Sequence, residues 1–186
     1  GVLAGIGARW FARALREAKE YAERTSPLRR ILFNGAAIAV LFVAMRGATG
    51  ESLTIDSGFS VLNWALDLDH GFWVLLAVLA LRSAATVCAV AGGGVGGVFI
   101  PLVVAGALSG RIVGGAINEL DTAMFVVVGI AAFLGAGYRV PLASVMFVAE
   151  TTGRASIVVP GLLAAVAAEL MMGPSSVTNL QRANRV

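Results

Sequence analysis

A glycine tract interrupts a long uncharged stretch of this chain. From Ser83 to Gly110 no residue carries a charge, and that stretch exceeds the ~20 residues that span a bilayer as a helix. Inside it lies Gly92-Gly93-Gly94-Val95-Gly96-Gly97-Val98-Phe99-Ile100-Pro101. Glycines at that density end a helix. Within hydrocarbon, a broken backbone is tolerated only where it is buried in protein or lines a polar cavity. The pattern therefore predicts a helix that begins inside a membrane, with unsatisfied N–H groups at its positive end facing something negative.

Composition supports a membrane setting. The chain is 58% hydrophobic and 13% charged, with a mean hydropathy of +0.86; soluble domains carry about 25% charged residues. Its 186 residues accommodate roughly six to eight membrane segments with short links. The net charge of +3 is set by arginines near segment ends, which fits loop charge or lipid headgroups rather than nucleic acid. A single cysteine, Cys88, and a single histidine, His70, exclude an intrachain disulfide, a cysteine metal cluster and a histidine metal site. The apolar opening at Gly1, without an initiator Met or signal-peptide pattern, reads as a piece of a longer membrane protein.

Hydrophobic runs give the order of elements. Gly1 to Arg24 reads as a long helix whose C-terminal half leaves the bilayer, with Arg16/Glu20 and Glu20/Arg24 spaced as helical ion pairs. Thr25-Ser26-Pro27 ends it, and Leu28 to Met45 follows as a second segment. Arg46 to Ser57 reads as a loop, and Gly58 to Leu68 as a short interfacial or re-entrant helix. Asp67, Asp69 and His70 mark a surface turn before the helix Gly71 to Ala91. Arg82 falls in that helix, as a buried structural arginine or one that reaches a polar cavity, with contact to a permeation path as the alternative. Beyond the tract, Val98 to Ile117 carries Gly106, Gly110 and Gly114 four residues apart, the spacing of close helix packing. Asn118 to Asp121 is a turn. Thr122 to Leu134 is short, Gly135 to Arg139 interrupts it, and Pro141 to Thr152 and Ser156 to Met172 complete the apolar segments. Residues 1–172 form one membrane unit, and Gly173 to Val186 is a polar tail with Arg182 and Arg185, directed to the cytoplasm by its positive charge.

The expected fold class is thus all-α: a polytopic membrane protein with broken and re-entrant helices, of the kind that places a site near the midplane. Gly92, Gly94 and Gly97 formally match a GxGxxG fingerprint, but a dinucleotide fold needs a strand before them and an acid about 20 residues on. No HExxH, GxSxG or intramembrane carboxylate pair suggests an enzyme. On the residues alone the glycines are read either as an anion cradle or as close helix packing.

Two stretches carry a family resemblance. Gly97-Val98-Phe99-Ile100-Pro101 is similar to the GxFxP signature of the CLC chloride channels and chloride/proton exchangers. Arg139-Val140-Pro141-Leu142 followed by Glu150-Thr151-Thr152 resembles that family's RxPL…ExT stretch. Ser57-Gly58-Phe59 resembles its Gly-Gly-aromatic loop, and Ser176 through Gln181 the start of its last helix. The matches follow the family's order and cover its C-terminal part, the second of two inverted repeats. The resemblance implies transport of chloride or a similar small anion, with fluoride or nitrate as other choices and a non-transporting scaffold subunit as the alternative.

It also implies anion binding by Gly97, Val98, Phe99 and Ile100, with Ser176 or Thr178 standing where the family has an inner tyrosine. No cofactor is implied; chloride is the substrate. A homodimer through Pro141 to Met172 is implied, with Ala165 and Ala168 facing the partner, in a prokaryotic plasma membrane. The family's gating and proton-passing glutamates have no counterpart in this stretch, and Glu150 and Glu169 are not substitutes for them. Arg139 is read as a turn or interface charge, and Glu150 as a structural hydrogen-bond former.

Overall fold

The computed structural model describes residues 1–55, 58–67, 70–117 and 121–178. Ser57, Asp69, Asn118, Gln181, Arg182 and Arg185, which the sequence reading invoked, lie outside them. Among the described residues there are eight α-helices and no strand, which removes the dinucleotide-fold alternative. They run α1 (Val2–Arg24), α2 (Pro27–Thr49), α3 (Phe59–Leu66), α4 (Phe72–Ala91), α5 (Phe99–Ala116), α6 (Thr122–Tyr138), α7 (Pro141–Thr152) and α8 (Val158–Met172), with a 3₁₀ turn at Ala155–Ile157 before α8. Four stretches are long and apolar enough to cross a membrane: Pro27–Thr49, Phe72–Ala91, Phe99–Ala116 and Ala155–Met172. With α3 and α7 too short to span, the fold is the polytopic all-α arrangement expected.

The centre of the bundle is the crossing of α5 on α6. Here the glycines of α5 act as predicted. A Cβ on Gly106 would lie 2.7 Å from the carbonyl oxygen of Gly129, and one on Gly110 would collide with the backbone of Phe125. Gly129 of α6 answers from the other side, facing Gly106 and Gly110. In lipid there is little hydrophobic drive between helices, so this backbone-to-backbone approach and its dispersion energy hold the pair. Around it, Ala8, Ala12 and Leu15 of α1, Leu102 of α5, Phe133 of α6 and Met172 of α8 form one buried cluster. A second cluster joins Met45, Val61, Trp64, Leu75 and Leu108.

Two helices extend further than their sequence suggests. α2 continues through Arg46 and Gly47 to Thr49, whose hydroxyl donates to the carbonyl of Met45 at 2.8 Å. Gly50, at φ 75°, then stops it. α6 continues through Gly135 and Gly137 to Tyr138. These glycines make room rather than break the helix. A Cβ on Gly135 would stand 2.7 Å from the Ser144 hydroxyl, and one on Gly137 2.9 Å from Leu102. The break comes at Arg139, a left-handed residue at φ 59°. Its side chain supports that backbone by pairing with Glu169 at 3.4 Å and donating to the carbonyl of Gly173.

Three further expectations need correction. The predicted Arg16/Glu20 and Glu20/Arg24 ion pairs do not form; the ion pairs among the described residues are Arg139–Glu169 and Arg154–Asp121. Arg16 turns inward instead, toward Ser175. Ala165 and Ala168 do not face outward: both are fully buried, Ala168 against Gly5 of α1 and Ala165 near Gly135 of α6. The outward face of α8 carries Val159, Leu163, Val166 and Leu170. Glu150 is exposed and has no side-chain hydrogen bond within the described residues; Thr151 and Thr152 return their hydroxyls to α7.

The crossing gives a direct test. Gly110→Ala forces a Cβ into the Phe125 backbone and should destabilise the protein by about 1–3 kcal/mol, the usual range for overpacking. Gly35, on α2 with nothing near its Cβ position, should tolerate alanine. Thermal unfolding in detergent checks both.

Candidate anion site

The glycine tract forms a structured cap followed by an open one-turn approach. α4 ends in a two-bond closure: Gly94 N–H donates to the carbonyl of Ala89 at 2.9 Å and Gly93 N–H to that of Val90 at 3.0 Å. Gly93 stands at the left-handed position, φ 90°, that this motif requires. A Cβ there would also strike the guanidinium of Arg30 at 2.8 Å. Arg30 in turn donates to the carbonyl of Ala22 at 2.7 Å, so α2 fixes the tract from behind. Asn34, buried on α2, lies against Gly92.

Val95 to Gly97 then run without regular structure, and Val98 is the N-cap of α5 at φ −90° and ψ 3°. The first bond that closes the new helix is Leu102 N–H to the Val98 carbonyl, at 3.1 Å. The amides of Gly96, Gly97, Val98, Phe99 and Ile100 have no acceptor among the described residues. Pro101, third in the helix, has no N–H to offer. A Cβ on Gly96 or Gly97 would meet nothing within 4 Å. Free donors and open space therefore coincide at the positive end of α5.

That space is a cleft of about 440 Å³, lined by Gly94 to Val98, Pro101, Thr54, Thr86 and Arg82 among others. Arg82 comes from mid-α4 and is held by the carbonyls of Leu53, at 3.0 Å, and Thr54. Arg82 is half-buried, held by these carbonyls and bordering the cleft. No carboxylate stands among the described residues that line the cleft. Its wall thus combines amide dipoles with one guanidinium, an arrangement suited to a small anion and unfavourable to a cation.

The six residues singled out from the sequence do not all converge. Gly97 and Val98 line the cleft. Phe99 is not among the residues that line the cleft; its amide has no acceptor among the described residues, and its ring packs against Phe147 at 5.3 Å and Tyr138 at 6.4 Å between centroids. The Ile100 side chain turns away toward Gly58 and the second core cluster. Ser176 and Thr178 do not line the cleft. The Ser176 hydroxyl is buried; it donates to the carbonyl of Gly137 at 3.3 Å and accepts from Thr178 N–H at 3.2 Å. Between them, Val177 N–H donates to the same Gly137 carbonyl at 3.0 Å. The Val177 side chain joins the apolar cluster that Phe99 and Tyr138 pack against. The tail thus buries a valine in that cluster and spends the Ser176 hydroxyl on the end of α6. Spacing alone, counted from Pro174 or from Gln181, fell on either side of Val177. Arg30 behind the tract was not anticipated, because nothing in a linear sequence shows which glycine it faces.

Comparison with known proteins bears on the family and the fold of the chain. The sequence profile described as "Voltage gated chloride channel" matches residues 1–173. A ClcB-like protein of Ralstonia nicotianae is 28% identical over 144 residues, covering 74% of this chain and 32% of its own length. The H(+)/Cl(-) exchange transporter ClcA of Klebsiella pneumoniae is 27% identical over 123 residues, or 63% of this chain and 26% of its own. The chain therefore spans about a third of the length of the curated relatives it matches. The crystal structure of a slow cyanobacterial Cl⁻/H⁺ antiporter superposes with a TM-score of 0.77 at 22% identity, covering 92% of this chain and 41% of that one. At that identity the likeness is one of fold. By the match across nearly its whole length, and by the fold that accompanies it, this chain belongs to the voltage gated chloride channel family.

Proposed function

We propose that this chain is part of a membrane protein that carries a small monovalent anion, chloride first, across the bilayer. The ion sits in the cleft beside Gly97 and takes hydrogen bonds from the amides of Val98 and Phe99. The observation that carries this reading is the coincidence of unpaired amides, open space and Arg82 in a cleft without a described carboxylate. The names of the bacterial relatives, chloride exchange transporters among them, favour chloride over other anions.

The physics suits passage better than storage. An anion entering the cleft sheds part of its hydration. The first-turn amides and the α5 dipole replace some of those hydrogen bonds. Arg82 adds a longer-range attraction but is already bonded to two carbonyls, which limits how tightly it grips. Binding strong enough to admit the ion and weak enough to release it is what conduction demands. The protein moves its ion without transforming it, and neither an enzyme reaction nor a cofactor enters this scheme.

The assembly is a homodimer through α7 and α8, by the outward residues Leu163, Val166 and Leu170 rather than by Ala165 and Ala168. An apolar helix face of this kind packs against a second copy through van der Waals contact.

Reconstitution of the protein into liposomes should yield chloride efflux. A well-folded protein with no chloride, nitrate or fluoride flux would sink the proposal and leave the scaffold alternative standing. Gly97→Val places a branched side chain in the open space at the cradle. Chloride affinity measured by calorimetry should fall about tenfold or more, roughly 1.4 kcal/mol, while membrane insertion stays intact. Val166→Trp should reduce the dimer fraction in cross-linking, whereas Leu32→Trp on the exposed face of α2 should leave it unchanged.

A further inference from the structure

We infer that a trough along α1 binds an anionic phospholipid, with one acyl chain in the trough and the headgroup on Arg13. The trough holds about 440 Å³ and is lined by Gly7, Trp10 and Ala14 of α1, Leu79 and Ala84 of α4 and Phe133 of α6, among others. Gly7 keeps it open, since a Cβ there would lie 3.0 Å from the Phe133 ring. A second hollow of about 350 Å³ continues past Ser109 toward Val2 and Ala4. The Ser109 hydroxyl, common to both, returns to the carbonyl of Ala105 at 2.7 Å. From Val2 to Trp10 the helix rises about 12 Å, so the two hollows together offer a chain an apolar bed of about that length.

Charge decides what lies in it. α1 is uncharged up to Ala8 and carries Arg9, Arg13 and Arg16 beyond. The hollow beside Val2 therefore lies at hydrocarbon depth, and Trp10 stands at the headgroup level where tryptophan collects. There the Arg13 guanidinium sits over the Trp10 ring, 5.6 Å from its centroid. Arg9, one turn earlier, has a buried Nε with no acceptor among the described residues. Neither arginine is in an ion pair among the described residues, and Glu17, exposed one turn beyond Arg13, does not pair with it. Guanidiniums at the wet end of an apolar trough match a phosphodiester with a chain attached. A further apolar helix would fill the trough but leave that charge unanswered.

The trough also reaches the cleft. Phe11, Leu79 and Ser83 line it and pack inside the bundle with Arg82, Thr86 and Pro101, which line the cleft on its other side. A seated chain thus presses on the wall behind Arg82. This consequence rests on the transport reading, whereas the site itself does not: the lipid supports flux by holding Phe11 and Leu79 in place.

The test uses the whole protein in liposomes with photoactivatable phosphatidylglycerol or phosphatidylcholine, the reactive group on the acyl chain, and peptide mapping of the label. Phosphatidylglycerol should label α1 and α4 at the trough about three- to tenfold more than phosphatidylcholine. Arg13→Gln should erase that preference, and Ala84→Phe or, from the α1 wall, Ala14→Phe should abolish the labelling. Equal labelling by the two lipids means ordinary bilayer contact and overturns the inference. Absence of label means that protein fills the trough and overturns it too, as does label that survives both phenylalanine variants. Replacing phosphatidylglycerol by phosphatidylcholine should lower chloride flux about threefold or more in the intact protein and leave that of Ala14→Phe unchanged. An equal response in the two proteins refutes the coupling to the cleft. Trough labelling in a protein without flux in any lipid refutes the transport reading and leaves this site standing.

Discussion

In hydrocarbon a peptide N–H without an acceptor costs several kcal/mol, and the whole arrangement follows from how this chain handles that cost at Gly92 to Ile100. On the α4 side the donors are satisfied inward, by the carbonyls of Cys88, Ala89 and Val90. On the α5 side they are left open beside a cleft. The asymmetry is built by neighbours. Arg30 and Asn34 of α2 back the satisfied half, while Arg82 of α4 borders the open half. A broken helix thus becomes a directed one, closed behind and receptive in front.

The α5/α6 crossing is what lets the open half exist. Because Gly106, Gly110 and Gly129 bring two backbones into contact, α5 is anchored along its length independently of its first turn. The N-terminal residues are then free to serve the cleft without carrying the stability of the bundle. At the other end of α6, the Arg139–Glu169 pair and the bond to Gly173 draw α8 and the tail toward the same helix. One central helix, α6, therefore organises both α5 and the start of the tail.

Much of this was legible in the sequence because it depends on local spacing. The glycine tract, the four-residue glycine repeat of α5 and the membrane spans follow from period and composition. What escaped was every question of direction. Gly135 and Gly137 look like the glycines of the tract, yet they make room for Ser144 and Leu102 inside an unbroken helix. A glycine that breaks a helix and one that admits a neighbour are identical until the neighbour is placed. Ala165 and Ala168 suit an interface by size, but the rotation of α8 turns them inward. Arg16 sits at the right interval from Glu20 and still chooses the tail. The tail hydroxyls were judged by counting, whereas the Gly137 carbonyl decides which of them is occupied.

Pro101 carries a consequence for whatever rests at the head of α5. By withholding a donor at the third position of the first turn it limits the number of backbone hydrogen bonds that the helix can extend, since Leu102 already points its own back to Val98. A guest bound there would remain under-coordinated by peptide groups alone and would keep part of its water shell on the cleft side. Under the transport reading proposed above, such water would re-form the missing solvation one molecule at a time as the guest departs, and residence would be short without a separate release step.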